Sequence, residues 1–343
     1  MRIGIDLGGT KTEIICLDER TGEMLTDRFR NNSPRDYDES IHNMANLVRA
    51  VEAKLGQEGT IGVGIPGTID EKGLVKNANS TWLNGRPLDK DLGMALGGRK
   101  VRVQNDANCF AVSEATDGAG AGHKVVFAII AGTGCGAGVV VDGRPVSGLN
   151  GLGGEWGHNP LPLPRVYAPD FSQHFKIFDA GTDPEKLINS TYAAKGRPQY
   201  FTDNPAEAEY PGPQCYCGKR GCIERWISGT GFEDDFRRAT GLQKTGVEIS
   251  DLAKDGNSDA KAALSRYFNR FARSVAGIID ILDPDIIVVG GGMSNNKGIY
   301  EEVPKIWNQY IFSNAPVTTK LVPAKHGDSS GVRGAAWLWA PGE

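Results

Sequence analysis

One short arrangement, a strand followed by a glycine–threonine turn and a second strand, occurs twice in this chain of 343 residues. Mostly apolar segments at 3–7 and 13–17 surround a Gly-Gly-Thr turn, and segments at 125–131 and 137–141 surround a Gly-Thr-Gly turn. A unit that recurs within one chain is typical of a duplicated fold. The length also exceeds what a single hydrophobic core usually organises. We therefore predict an α/β protein with two similar lobes that face a cleft.

The spacing of the other apolar residues completes each lobe. A strand at 24–30, a helix at about 36–55, strands at 62–65 and 101–103 and a helix after Asn105 predict a βββαβα first lobe. In the second lobe, a long helix ends at Asp283-Pro284 and a strand at 286–289 runs into three glycines. The predicted lobes span 1–117 and 118–330, and a final helix at about 331–343 returns to the first lobe.

Charge and hydropathy exclude several classes of protein. The 38 basic residues are balanced by 42 acidic ones and form no basic block, which argues against a nucleic-acid partner. No apolar run approaches the roughly 18 residues of a membrane span, so we expect no membrane association. Asp6 interrupts the only apolar stretch at the N-terminus, which is unlike a signal peptide. These features predict a cytoplasmic protein.

The first glycine turn carries residue types that suit a phosphate. Asp6 ends a strand, Gly9 lacks a Cβ, and Thr10 and Lys11 add a hydroxyl and an amine. Such a turn can hold backbone N–H groups against phosphate oxygens, while Asp6 binds Mg²⁺ through water. An ordinary hairpin turn is the alternative, and neither turn matches the P-loop pattern. The second turn favours a clamp formed by both lobes, with candidate residues Gly132, Thr133 and Gly134.

Asn105 and Asp106 follow a predicted strand and open a predicted helix. Asp106 would then lie at the carboxyl end of a strand, at the border of the cleft. A carboxylate in that place can accept a proton from a substrate hydroxyl group. The alternative is that Asp106 only caps the helix that follows it.

A cluster of thiols indicates a structural metal site. Cys215, Cys217 and Cys222 lie close together on a glycine-containing segment, and an imidazole elsewhere would complete four ligands for a tetrahedral zinc. Disulfides are disfavoured in a cytoplasmic chain, and a Cys-x-Cys pair is poorly spaced to bridge itself. The fourth ligand is either His158 or His174, which is nearer in sequence.

The segment at 161–214 departs from the rest of the chain. It is rich in proline, charge and aromatic residues without sustained periodicity. We predict a long surface loop or an inserted flap, whose deletion would leave a folded protein.

Together these motifs resemble the ROK family of repressors, open reading frames and kinases over nearly the whole chain. The matching motifs are Asp-x-Gly-Gly-Thr-Lys at 6–11, Gly-Ile-Pro-Gly at 64–67, Asn-Asp-Ala-Asn at 105–108, Glu-x-Gly-His at 155–158 and Cys-x-Cys-Gly-x-x-Gly-Cys-x-Glu at 215–224. The resemblance implies the two-domain actin-like ATPase fold, related to ribonuclease H, a homodimer, and ATP-dependent transfer of phosphate to a sugar.

The resemblance also implies a role for individual residues. It places the sugar against Gly67, Asn105, Asp106, Glu155, His158 and Glu224. It assigns the structural zinc to His158, Cys215, Cys217 and Cys222. It brings the phosphates to Gly9, Thr10 and Thr133, and the adenosine to Gly290, Gly291 and Gly292.

The choice of sugar rests on two segments. Residues 75–85 and 325–334 resemble bacterial fructokinases, also called manno(fructo)kinases, so D-fructose, and with it mannose, is the expected substrate. N-acetylglucosamine kinases resemble the second segment more than the first, and a kinase for that sugar or for glucose is the alternative. The family's repressor branch, which senses sugars and regulates DNA, is a rival from another class.

Overall fold

The computed structural model describes residues 1–167, 201–202 and 204–340. Its strands are Arg2–Leu7 (β1), Lys11–Leu17 (β2), Phe29–Asn32 (β3), Thr60–Ile65 (β4), Thr68–Ile69 (β5), Val75–Lys76 (β6), Val101–Asn105 (β7), Val125–Ala131 (β8), Cys135–Val141 (β9), Arg144–Pro145 (β10), Val166–Tyr167 (β11), Phe201–Thr202 (β12), Ile286–Gly290 (β13) and Lys320–Pro323 (β14). They form two five-stranded sheets, β3-β2-β1-β4-β7 and β10-β9-β8-β13-β14, and two short pairs.

The two sheets repeat the same pairing pattern. Strand β1 runs antiparallel to β2 and parallel to β4, and β8 runs antiparallel to β9 and parallel to β13. The repeated turns in the sequence therefore occupy matching places in two matching sheets. The predicted third strand at 24–30 is displaced, because β3 pairs only with the beginning of β2, where Ile14 is opposite Phe29. Met24 makes only an isolated bridge to Leu17.

Nine α-helices cover these sheets within the described part of the chain. They are Tyr37–Leu55 (α1), Leu88–Ala95 (α2), Asp106–Thr116 (α3), Glu224–Ile227 (α4), Gly229–Thr240 (α5), Gly246–Lys254 (α6), Ser258–Leu282 (α7), Gly298–Ile306 (α8) and Ser330–Ala336 (α9). Helix α7 ends as predicted, because Asp283 adopts the left-handed φ of 45° before a proline. Among the described residues, no helix has both the length and the apolarity to span a membrane.

Helix α9 packs against the first sheet at very close range. A Cβ placed on Gly62 of β4 would lie 1.8 Å from the Ala335 carbonyl oxygen. A Cβ on Gly334 would lie 1.6 Å from the Cys109 carbonyl oxygen of α3. Only glycine permits these approaches. The end of the chain thus returns to the first sheet and also contacts α3.

The two ends of the segment at 161–214 pack against the second lobe. Leu161 is buried in the core of the second sheet, and Glu209 is also buried. Two arginines of α7, Arg270 and Arg273, bind the Glu209 carboxylate at 2.8 and 2.7 Å. Sequence periodicity missed this anchoring because isolated buried contacts carry it. That most of the segment can be deleted stays a prediction.

Candidate functional site

The first glycine turn is held by hydrogen bonds to its neighbours. The Gly8 N–H donates to the Lys11 carbonyl at 2.9 Å, and Ser33 donates from its hydroxyl to the Gly8 carbonyl at 2.7 Å. The Ser33 N–H donates to the Thr10 carbonyl at 3.0 Å. Gly9 and Thr10 remain exposed at the tip. The backbone of the turn is therefore fixed, while its tip stays open to a ligand.

Two carboxylates lie together beside this turn. Burial raises the pKa of Asp6 to about 7, and the charges of Asp106 and Glu13 add to the effect. Burial is also the largest cause that raises the pKa of Asp106, with a contribution from Glu155. Neighbouring carboxylates with raised pKa values form a site that a hard cation would stabilise. The donor set thus fits Mg²⁺, as the sequence predicted for Asp6.

Asn105, and not Asp106, caps helix α3. The Asn105 side-chain oxygen accepts hydrogen bonds from the N–H groups of Ala107 and Asn108 at 3.0 and 3.3 Å. Its amide nitrogen donates to the Gly67 carbonyl at 3.1 Å, which links two predicted sugar-side residues. Asp106 is the first residue of the helix and accepts a second hydrogen bond from the Ala107 N–H at 2.8 Å. Helix capping therefore does not explain the presence of Asp106.

The second glycine turn is held by the beginning of α5. The Gly132 N–H donates to the Gly134 carbonyl at 3.0 Å, and the Gly229 N–H donates to the Gly132 carbonyl at 2.7 Å. The Thr230 hydroxyl donates to the Thr133 carbonyl at 2.7 Å. The turn at 132–134 and the residues at 229–230 are thus bound to each other, a link that the sequence did not predict.

Glu224 holds the end of the same turn through a hydrogen bond. Its side chain is buried, and its Oε2 accepts a hydrogen bond from the Cys135 N–H at 2.9 Å. A Cβ on Gly134 would lie 2.8 Å from the same oxygen. The resemblance assigned Glu224 to the sugar, and the structure adds a contact with the phosphate turn of the second lobe.

A cavity of about 1280 Å³ opens behind the second turn. Gly132 and Thr133 contribute to it from the turn, and helices α5 to α8 form the other walls. Its lining residues include Gly229, Thr230, Thr245, Gly246, Leu264, Phe268, Met293 and Lys297. Apolar walls with a few polar groups suit a nucleoside. The sequence analysis missed the helical residues, although the Ser-Gly-Thr-Gly run at 228–231 was a usable signal.

The three glycines at the end of β13, Gly290 to Gly292, differ in their positions. Gly292 lines the cavity, as expected for a residue beside an adenosine. A Cβ on Gly290 would lie 2.6 Å from the Phe110 ring, and one on Gly291 would lie 2.6 Å from the Ala131 backbone. Gly290 and Gly291 therefore allow close packing behind the cavity, and neither is among the residues that line it.

The predicted metal ligands come together. The ligand atoms of His158, Cys215, Cys217 and Cys222 all lie within 4.8 Å of one another. Cys217 and Cys222 sulfurs are 3.6 Å apart, and the Cys215 sulfur is 3.7 Å from Nδ1 of His158. Zn–S bonds of about 2.3 Å in a tetrahedron place sulfurs about 3.8 Å apart. The donor set and spacing fit zinc, with His158 in the cluster; His174 lies outside the described residues.

The thiol cluster binds two chain segments to each other. The Ile223 N–H donates to the Asn159 carbonyl at 2.8 Å, and the Leu161 N–H donates to the Gly221 carbonyl at 2.9 Å. These bonds join the segment after His158 to the segment before Glu224. A metal held here would fix the loops that carry both predicted sugar-side glutamates.

The other predicted residues are more peripheral. The Lys11 ammonium donates to the Asn32 side chain at 2.5 Å, an exposed contact along the sheet edge. Glu155 is exposed in a short 3₁₀ helix. The three thiols that were not assigned to the metal are buried, as expected: Cys16, Cys109 and Cys135.

The Cys217→Ser variant should lose zinc, unfold at a lower temperature and bind sugar more weakly. A serine hydroxyl is a poor replacement for a thiolate, and the metal joins both loops. Elemental analysis, thermal melting and calorimetry measure the three effects. Wild-type protein stripped by a chelator should melt at the same temperature as the variant. Zinc-free wild-type protein of unchanged stability would contradict the role.

Comparisons with known proteins decide the family. The family model described as "ROK family" matches residues 2–341. The chain belongs to the ROK family. The N-acetyl-D-glucosamine kinase of Photobacterium profundum is 36% identical over 98% of this chain and 99% of its own length. The enzyme of the same name from Vibrio cholerae is 37% identical over 98% of this chain and 99% of its own length.

Solved ROK structures show the same fold. The ROK hexokinase of Thermus thermophilus has 26% identity and a TM-score of 0.75, with 98% of this chain and 97% of that chain covered. The predicted α/β, two-domain actin-like fold is confirmed. These matches support a sugar kinase. The relatives named above phosphorylate N-acetyl-D-glucosamine according to their names, so they do not support the prediction of fructose.

Proposed function

We propose that this ROK protein is a kinase that transfers phosphate from ATP to the 6-hydroxyl of N-acetyl-D-glucosamine. The observation that carries the proposal is the position of Asp106, a half-buried carboxylate at the start of α3, where the two sheets meet. The start of α3 contacts both lobes. A Cβ on Gly64 of β4 would lie 3.3 Å from the Cys109 sulfur, and a Cβ on Gly136 of β9 would lie 3.4 Å from the Ala107 Cβ. The start of α3, which includes Asp106, thus lies between the two sheets.

The residues around Asp106 suit phosphoryl transfer. Asp106 would accept the proton as the sugar hydroxyl oxygen attacks the terminal phosphorus, and the bond to the departing ADP oxygen breaks. A raised pKa makes this carboxylate a better proton acceptor. The turns at 8–10 and 132–134 offer backbone N–H groups and threonine hydroxyls to the phosphates. Mg²⁺, when held through Asp6, would neutralise charge on the transferred group.

The sugar is proposed from the relatives and from the loop that had suggested fructose. That loop at 75–85 is closed by its own hydrogen bonds, because the Asn84 amide both accepts from the Ala78 N–H at 2.9 Å and donates to its carbonyl at 3.0 Å. Asn84 therefore shapes the loop, a role that does not depend on a sugar. The identity of 36–37% with two N-acetyl-D-glucosamine kinases then favours that sugar.

A panel of sugars tests the specificity. We expect N-acetyl-D-glucosamine to give a kcat/KM at least tenfold above those of glucose, mannose and fructose, measured by coupled ADP release. Tenfold corresponds to about 1.4 kcal/mol of transition-state binding. A tenfold preference for fructose or glucose would contradict the proposal.

We also infer from the family resemblance that the protein works in the cytoplasm as a homodimer. Light scattering on the purified chain tests the dimer, and a monomeric mass at working concentration would exclude it.

A further inference from the structure

A half-buried carboxylate, that of Glu233, lines the cavity behind the second glycine turn. Glu233 belongs to α5, and its Oε1 accepts a hydrogen bond from the Gly246 N–H at 2.8 Å. Within the described part of the chain, no other hydrogen bond or ion pair engages this side chain. Glu233 is therefore held in place through one oxygen and keeps acceptor capacity for a ligand.

Helix α5 places Glu233 one turn beyond the second glycine turn. Thr230 of this helix donates from its hydroxyl to the Thr133 carbonyl at 2.7 Å, and Glu233 follows Thr230 by three residues. Side chains at this spacing lie on the same face of a helix, with about 5 to 6 Å between their Cβ atoms. Both residues line the cavity. A triphosphate held at the turn would therefore bring its ribose, the next group along the nucleotide, alongside Glu233.

The chemistry of a carboxylate also favours the ribose. An ionised carboxylate only accepts hydrogen bonds, and it repels phosphate oxygens. The two neighbouring hydroxyl groups of a ribose are donors that match it. The purine ring suits the apolar part of the cavity wall, formed by Leu264, Phe268 and Met293. The amine of adenine is a rival donor, and it lies at the end of the nucleotide away from the phosphates.

We propose that Glu233 binds the ribose of the nucleotide by accepting hydrogen bonds from its two neighbouring hydroxyl groups. The contact makes the protein selective for ribonucleoside triphosphates over their deoxy forms. The inference rests on the proposed ATP-dependent function and adds a specificity-determining residue to the nucleotide side of the same cleft.

The Glu233→Ala variant tests the contact. We expect the KM for ATP, and the Kd of ATP measured by calorimetry, to rise about tenfold, as for the loss of a hydrogen bond to a charged group. The kcat and the sugar KM should change little.

The matched control for Glu233→Ala is Glu248→Ala. The Glu248 carboxylate accepts from the Thr245 N–H, next to Gly246, at 2.8 Å, but it is exposed and is not among the residues that line the cavity. Glu248→Ala should keep the wild-type affinity for ATP. If the only role of Glu233 were to hold this loop, both variants would lose ATP affinity equally, and that result would overturn the inference.

Nucleotide analogues identify the partner atoms and include a test on the wild type alone. Wild-type protein should bind 2′,3′-dideoxy-ATP about tenfold more weakly than ATP, and Glu233→Ala should bind the two equally, because the contact is already absent. Equal binding of both nucleotides by the wild type would overturn the inference. A Glu233→Ala defect that disappears with inosine triphosphate, which lacks the adenine amine, would also overturn it, because the contact would then be to the base.

Calorimetry keeps this test separate from the proposed function. Absence of sugar phosphorylation by the wild type would reject the proposed kinase activity. The affinities for ATP and for its dideoxy form alone decide the role of Glu233.

Discussion

The Asp106→Asn variant should lose a factor of about 10² to 10⁴ in kcat, equivalent to about 3 to 5.5 kcal/mol of transition-state stabilisation. Asparagine has nearly the same shape as aspartate but cannot accept the proton of the sugar hydroxyl. Sugar affinity, measured by calorimetry, should fall much less. Folding should be retained, because Asn105 caps α3 and the substitution removes a charge that opposes ionisation of Asp6.

The same chemical change at a true helix cap serves as the control. Asp36 caps α1 by accepting a hydrogen bond from the Glu39 N–H at 3.0 Å, and it is exposed. Because asparagine caps helices about as well as aspartate, Asp36→Asn should change neither kcat nor stability. If Asp106→Asn keeps more than about a tenth of wild-type kcat, Asp106 is not the proton acceptor.

The Glu209→Gln variant should lower the free energy of unfolding by about 3 to 5 kcal/mol, because it removes the carboxylate that pairs with the buried Arg273 and leaves the buried Arg270 with Asp235 alone. Glu209 is 4% exposed, and Arg270 and Arg273 are 1% and 3% exposed. Arg273 donates to both carboxylate oxygens at 2.7 and 2.9 Å, and Arg270 donates to one at 2.8 Å. Chemical denaturation measures the loss.

The pH dependence of stability gives a second test of this ion pair. Burial would raise the pKa of Glu209, but Arg273 and Arg270 outweigh burial and lower it from 4.5 to about 2. A lowered folded-state pKa stabilises the protein above pH 4.5, and this stabilisation is lost as the pH falls toward 2. The difference between wild type and Glu209→Gln should therefore shrink over that range.

A neighbouring ion pair provides the control for Glu209. Glu207 binds Arg165 at 3.2 Å, with side chains 36% and 28% exposed. Exposed pairs contribute about 0 to 1 kcal/mol, so Glu207→Gln should change the free energy of unfolding by no more than this. Equal losses in the two variants would show that the segment is not anchored through Glu209.

The sequence predicted the parts of this molecule that depend on local patterns. The repeated glycine turns led to two matching sheets, because a turn between two strands has a local signature. The thiol spacing led to the ligand cluster, which includes His158. Helix capping had been considered only for Asp106, whereas Asn105 caps α3, since both are good capping residues and only the backbone geometry distinguishes them.

Features that depend on long-range packing could not be predicted. The contact of Glu209 with α7 joins residues far apart in the sequence and has no periodicity. Gly290 and Gly291 have a packing reason to be glycine that the sequence did not reveal, because Phe110 and Ala131 lie against them. The hydrogen bonds by which Asn84 closes the loop at 75–85 were also not predicted.

The central claim is that the cleft moves a phosphoryl group onto the 6-hydroxyl of N-acetyl-D-glucosamine. Phosphorus–proton correlation NMR of the reaction of wild-type protein with ATP, Mg²⁺ and this sugar tests it most directly. We predict a single sugar phosphate whose phosphorus couples to the two protons on carbon 6, and none in the Asp106→Asn reaction after the same time. Coupling to the proton on carbon 1, or ADP release without any sugar phosphate, would contradict the account.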